Sequence, residues 1–181
     1  AVVYEPCQMD ALRLLAGPWA LREEVLVLSL RAADFVRPRG RTSIRVTAGL
    51  RLVADQMSAF STDRACLGAK YRVMMIDDRI VSYARAEPAD FDMAEICGVY
   101  TDPEHRRQGF ARQVVADLCE DILGESRVPV YLVKKANGAS ITMAESLGFR
   151  LESLFGIYYL RKPALSSHAA GGGSAVTKSN R

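Results

Sequence analysis

Arg106-Arg107-Gln108-Gly109-Phe110-Ala111 is the stretch of this chain best equipped for chemistry. From Phe110 the apolar residues fall at Phe110, Ala111, Val114, Val115, Leu118, Cys119, Ile122 and Leu123, one face at helical spacing. The spacing predicts a helix from about Gln108 to Gly124. The first amides of a helix lack intrahelical acceptors, and the helix dipole favours negative charge there. Gly109 lets an anion approach the backbone with no side chain in the way. Arg106, Arg107 and Arg112 add formal positive charge. The chemistry implied is the holding of an anion, phosphate above all. A second constellation, Cys97 with His105, would suit a nucleophilic thiol and its base. No acid is placed to orient His105, so a buried thiol is the better reading of Cys97.

The elements that must position this loop follow from its flanks. Met93 to Thr101 reads as a strand, through Ile96, Val99, Tyr100 and Thr101, and Asp102-Pro103 breaks it. Gly98 suits a bulge within it or an ordinary small strand residue. Upstream, Tyr71 to Ile76 and Ile80 to Ala86 read as a hairpin about Asp77-Asp78, followed by a loop from Glu87 to Asp92. Downstream, Val128 to Val133 is a strand, and Asn137 leads into a helix ending at Leu147 with Gly148 as its cap. Phe149 to Glu152 and Phe155 to Leu160 read as two closing strands. Before residue 70 the pattern is weaker. Met9 to Gly17, Trp19 to Phe35 and Leu50 to Phe60 read as helices. The nearly continuous apolar run in the second also suits a partly extended segment. Ser43 to Thr47 reads as a short strand, and Arg37-Pro38-Arg39-Gly40-Arg41 as a solvated basic turn. From Ser166 the chain is small and polar, with Gly171-Gly172-Gly173-Ser174 inside it, and reads as a flexible tail.

Composition sets wider bounds. The 181 residues are 49% apolar and 25% charged, an ordinary globular balance with enough chain for one core. The formal net charge of +3 is too small to argue for nucleic acid. Cys7, Cys66, Cys97 and Cys119 form no Cys-x-x-Cys pair, and His105 and His168 are the two histidines, so no metal is expected. Free thiols suit a reducing, cytoplasmic compartment. No apolar run is long enough to span a membrane. Gly-Lys-Ser/Thr and Gly-x-Gly-x-x-Gly are both missing, which weighs against other phosphate-binding enzymes.

Arg106 to Ala111, set between this strand and this helix, matches Gln/Arg-x-x-Gly-x-Gly/Ala and resembles the pyrophosphate loop of the GNAT superfamily of acetyl-CoA-dependent N-acetyltransferases. The run Gly-Val-Tyr-Thr-Asp-Pro-Glu-His-Arg is similar to that superfamily's strand-plus-loop block. The resemblance covers about residues 70 to 161. It implies an α/β fold with a central mixed, mostly antiparallel sheet, splayed at the cofactor strand and flanked by helices. Residues 1–69 would be the variable N-terminal part of the same domain, 70–163 the core, and 164–181 the tail. It further implies that the amides of Gln108, Gly109, Phe110 and Ala111 hold the phosphates of acetyl-CoA, with Arg106, Arg107 and Arg112 around them. Val99, Tyr100 and Thr101 would run along the pantetheine arm, with a strand amide near Val99 as oxyanion donor. Asn137 and Ser140 match the family's Asn-x-x-Ala/Ser block and would contact the cofactor, or cap the helix. Glu95, eleven residues before Arg106 in an Ala-Glu-Ile run, is the implied general base, or else a half-exposed carboxylate paired with an arginine. The chain departs from the family at Ala144, where a Tyr often stands as general acid. The implied activity is transfer of an acetyl group to the amine of a small molecule, peptide or protein by direct attack. The alternative is a non-catalytic acyl-CoA-binding sensor or scaffold. Nucleic acid and membrane are not expected as partners, and a homodimer stays open.

Overall fold

The computed structural model describes residues 2–4, 20–40, 42–46, 69–90 and 92–160, with backbone alone for 2–4, 20–22 and 157–160. The helices expected at Met9 to Gly17 and Leu50 to Phe60, the tail, and Cys7, Cys66 and His168 lie outside these residues. Among the described residues eight strands form one sheet: β1 (Val2–Tyr4), β2 (Ala20–Ser29), β3 (Ile44–Val46), β4 (Lys70–Ile76), β5 (Arg79–Asp90), β6 (Met93–Thr101), β7 (Val128–Lys134) and β8 (Arg150–Leu160). Their order is β1-β8-β2-β7-β6-β5-β4-β3. All neighbours are antiparallel except β6 and β7. Two helices, α1 (Phe110–Gly124) and α2 (Gly138–Ser146), complete the described core. The expected mixed, mostly antiparallel α/β sheet with flanking helices is the observed fold.

Local chemistry accounts for the hairpin and for β6. Asp77 and Asp78 both have positive φ, 47° and 60°, the pair of left-handed residues that lets a two-residue turn match the strand twist. β6 has the boundaries the sequence predicts. α1 buries Val114, Val115, Leu118, Cys119 and Ile122 against the sheet, with Ala84, Ala86, Ala94 and Ile96 beneath them.

Three expectations are corrected. The helix expected at Trp19 to Phe35 gives way, among the described residues, to its extended alternative: Ala20–Ser29 is a strand paired with β7 on one side and β8 on the other. A central strand needs no helical periodicity, and its nearly continuous apolar run is what burial inside a sheet allows. Glu87 to Asp92 is not all loop, because β5 continues to Asp90 and pairs with β6. Beyond Ala86, β4 no longer pairs with β5, so Pro88 sits where its missing N–H costs no ladder bond on that side. The two closing strands are one, β8, with a bulge that sets Glu152 out of register opposite Val27 and Leu28.

Arg37, in the basic turn, is not simply solvated. It pairs with the buried Asp117 (2.8 Å) and with Glu120 of α1. Asp117 also accepts from the Ser43 amide and hydroxyl and from Gln113 Nε2 (3.1 Å), so its charge is fully met. One turn on, Asp121 holds Arg45 and Arg72. Burial alone would raise the Asp121 pKa, but the hydrogen bonds from Arg72 and Arg45 outweigh it and hold the carboxyl below its usual range.

Gly148 closes α2 with φ 98°, and the Leu147 carbonyl accepts from the Val36 amide at 3.0 Å. A Cβ on Gly148 would lie 1.9 Å from the Asp34 carbonyl oxygen. Both strain and overlap therefore oppose any side chain here. Gly148→Ala is expected to lose about 2–4 kcal/mol of stability, from backbone strain and overpacking together. Urea unfolding of the two proteins measures it; a loss within 0.5 kcal/mol, the ordinary surface range of about ±0.5, would contradict this packing.

Candidate functional site

β6 and β7 pair only from Met93 to Ile96, against Val128 to Tyr131. After Ile96 they part: β6 stays with β5 as far as Thr101, and β7 stays with β2 as far as Lys134. A bulge in β6 lies beside this parting. Gly98 has φ 59°, and Gly98 and Val99 together face Ala84 alone, so Cys97 pairs with Arg85 and Tyr100 with Tyr83. Of the two readings of Gly98, the bulge is the observed one. The extra residue turns Val99 toward the core under α1, while Tyr100 stacks on Tyr83 at 5.4 Å on the other face.

Beyond the end of β6 the chain makes a short 3₁₀ turn, Pro103–His105, held by the Asp102 carboxylate accepting from the Glu104 amide. Arg106 Nε donates to the Thr101 carbonyl at 3.1 Å and folds the loop back. Arg107, at φ 60°, and Gly109, at φ 82°, are both left-handed and bring successive amides onto one side. The first intrahelical bond runs from Gln113 N to Gly109 O, 3.0 Å. Among the described residues the amides of Gln108 to Arg112 donate to no protein acceptor. None of Arg106, Arg107 and Arg112 pairs with a described carboxylate; Arg112 instead reaches across to the Ser146 carbonyl at 3.0 Å.

These groups enclose a cleft of about 470 Å³. Val99, Tyr100 and Thr101 line it from β6, and Arg106, Arg107, Gly109, Phe110, Ala111 and Arg112 from the loop and α1. α2 contributes Ala139, Ser140, Thr142, Met143 and Ser146. Open amides, guanidinium groups that meet no described carboxylate and a mostly apolar cleft together suit a phosphorylated ligand with an extended arm.

Other residues singled out in the sequence stand elsewhere. Asn137 Oδ1 accepts from the Ser140 amide at 3.2 Å, so Asn137 caps α2. Gln108 is exposed, and its side chain reaches the Glu104 carbonyl at 3.4 Å. Ala144 is fully buried in the core, so position 144 does not face the cleft and a phenol there would have to displace core packing. His105 packs on Phe110 at 6.4 Å in the cleft wall, whereas Cys97 accepts a hydrogen bond from Arg85 Nε at 3.3 Å. Burial pushes the Cys97 thiol up to about 11, which keeps it protonated at neutral pH and leaves no nucleophile.

Glu95 lies on the face of β6 opposite Ala94 and Ile96, half-buried, directly across from Glu87 of β5. Burial first and the Glu87 charge second raise its pKa, and Arg85 offsets them in part. Tyr131 is a residue the sequence reading passed over. Its hydroxyl lies near the Ser140 side chain, which offsets part of the pKa rise that burial causes, and its ring packs on Phe149 at 6.2 Å. A Tyr in a β-branched strand reads as core, and no spacing signal would have linked it to Ser140.

Comparison with known proteins fits this geometry. Residues 79–155, rather less than half of the chain, match the family model described as FR47-like protein. The ribosomal protein bS18 alanine N-acetyltransferase of Salmonella typhimurium is 30% identical over 84 residues, covering 46% of this chain and 56% of that enzyme. The match thus spans little more than half the length of that curated relative. Among solved structures, a GCN5-related N-acetyltransferase-like protein from Streptococcus suis superposes with TM-score 0.62 at 17% identity, over 87% of this chain and 69% of its own. An acetyltransferase of the GNAT family from Colwellia psychrerythraea gives 0.63 at 14%, over 88% and 64%. In sequence and in fold the chain resembles the GNAT superfamily, and the proteins it matches include acetyltransferases of that kind.

A Cβ on Gly109 would meet no protein atom within 4 Å, so a side chain there is opposed by the strain of φ 82° and by whatever occupies the cleft. Gly109→Glu is expected to abolish the thermal stabilisation given by coenzyme A while the protein still unfolds cooperatively. Equal stabilisation of a folded variant would show that this loop holds no phosphate.

Proposed function

We propose that this protein is an acetyl-CoA-dependent N-acetyltransferase acting by direct attack of an amine in a ternary complex, in the cytoplasm and without a metal. The observation that carries the reading is the helix end at Gln108 to Arg112, where open amides and three guanidinium groups without carboxylate partners among the described residues meet at the mouth of the parted strands. Acetyl-CoA would supply an activated acyl group as a thioester. The amides of Gln108, Gly109, Phe110 and Ala111 then hold the pyrophosphate, with Arg106, Arg107 and Arg112 as counter-charges. Val99, Tyr100 and Thr101 run beside the pantetheine arm. Ser140 borders it from α2, and Asn137 acts through the Ser140 amide it holds.

Glu95 takes the proton from the acceptor ammonium. The free amine forms the new N–C bond, the C–S bond breaks, and the thiolate leaves with a proton. An amine of ordinary pKa near 10 is almost wholly protonated at neutral pH, so a base raises the reactive fraction. A carboxylate held above its usual range is the stronger base for it. A thiol of pKa near 8.5 is a tolerable leaving group, so no phenol at position 144 is required. Protein N-termini are the first acceptors to try, since the Salmonella relative is named for an alanine of a ribosomal protein. The buried Ala144 is the one observation that favours the alternative, a domain that binds acyl-CoA without turning it over.

Release of coenzyme A with a panel of peptide and small amines separates the two. Glu95→Gln is expected to lower kcat by about 10²–10⁴-fold with little change in affinity for coenzyme A. Because the Glu95 pKa is raised, the wild-type rate should fall as pH drops through a value above the ordinary glutamate range. An unaltered kcat and pH profile in Glu95→Gln would exclude Glu95 as the base.

A further inference from the structure

Glu95 does not stand alone on its face of the sheet. Cross-strand register sets Glu87 directly opposite it and Arg85 opposite Cys97. Two carboxylates facing each other across a ladder repel, and a sheet gains nothing from them by itself. Arg85 lies between these groups. Its Nε is 2.7 Å from Glu87 Oε1, yet its hydrogen is given to Cys97 Sγ. Glu87 Oε1 is therefore paired with Arg85 by charge but receives no hydrogen bond, and the two opposite charges sit together beside Glu95.

We propose that Glu87 and Arg85 are opposed positioning residues for the proton on Glu95, Glu87 disfavouring the carboxylate and Arg85 favouring it. The inference rests on Glu95 being the base. Its purpose is a base stronger than a lone glutamate, with Arg85 limiting how far Glu87 and burial disfavour the carboxylate. The remaining described neighbours do not alter the sign. On β6 itself the Cys97 thiol stays neutral, on β4 Tyr71 faces Arg85, and on β7 the register neighbour is Val130. The bulge at Gly98 makes the arrangement possible, since it shifts β6 by one residue against β5 and so sets which β5 side chains meet Glu95 and Cys97.

The test is a carbon-13 NMR titration of the side-chain carboxyls in the whole chain, with the Glu95 signal assigned by its loss in Glu95→Gln. The Glu95 midpoint is expected to move to lower pH in Glu87→Gln and to higher pH in Arg85→Gln. An unmoved midpoint in a folded Glu87→Gln overturns the proposal, and that nearly isosteric change decides it even where the Arg85 variant fails to fold. The acid limb of the acetylation rate should move with the midpoint. A midpoint that moves while the limb does not would uphold the tuning of Glu95 and overturn its role as base.

Discussion

The parting of β6 from β7 after Ile96 is the constraint on which the site depends. A parallel pair that stayed zipped would leave no room for a ligand between its strands. Opening it removes inter-strand bonds from Cys97 to Thr101 and from Leu132 to Lys134, a cost tolerable because each strand keeps a full partner on its other side. The bulge at Gly98 adds local twist at the same level. Tyr131, the last β7 residue paired with β6, lies near Ser140 of α2 at the edge of the opening. Strand divergence, bulge and helix placement thus form one wedge, with the start of α1 at its mouth.

Charge is segregated along α1 in a way that fold stability alone does not explain. Its middle carries Asp117, Glu120 and Asp121, all engaged by Arg37, Arg45 or Arg72 from segments before it in the chain. Its start carries arginines without carboxylate partners among the described residues, and a helix N-terminus disfavours cations. Local preference is satisfied in the middle of the helix and violated at its beginning. Such conflicts are expected where a chain is shaped for a ligand, and an anion at the N-terminus would resolve this one.

Much of this was legible in the sequence where local chemistry decides the outcome. The Asp77-Asp78 turn, the limits of β6, the cap at Asn137 and the helix stop at Gly148 each follow from one or two residues. The sequence misled where non-local pairing decides. An apolar run such as Val25 to Leu28 serves a buried helix or a buried strand, and only β7 and β8 on either side choose between them. Pro88 and the acids near it signal a loop, yet an edge of the sheet accepts them. The meeting of Glu87 with Glu95, and of Tyr131 with Ser140, depends on register and helix docking, which carry no short-range mark.

The most direct measurement is a titration of the nitrogen-15-labelled protein with coenzyme A, followed by amide NMR. Bound pyrophosphate should move the amides of Gln108 to Arg112 most, and the pantetheine arm should move those of Val99 to Thr101 on β6. Saturable binding that leaves these amides in place and perturbs another part of the sheet would contradict the account.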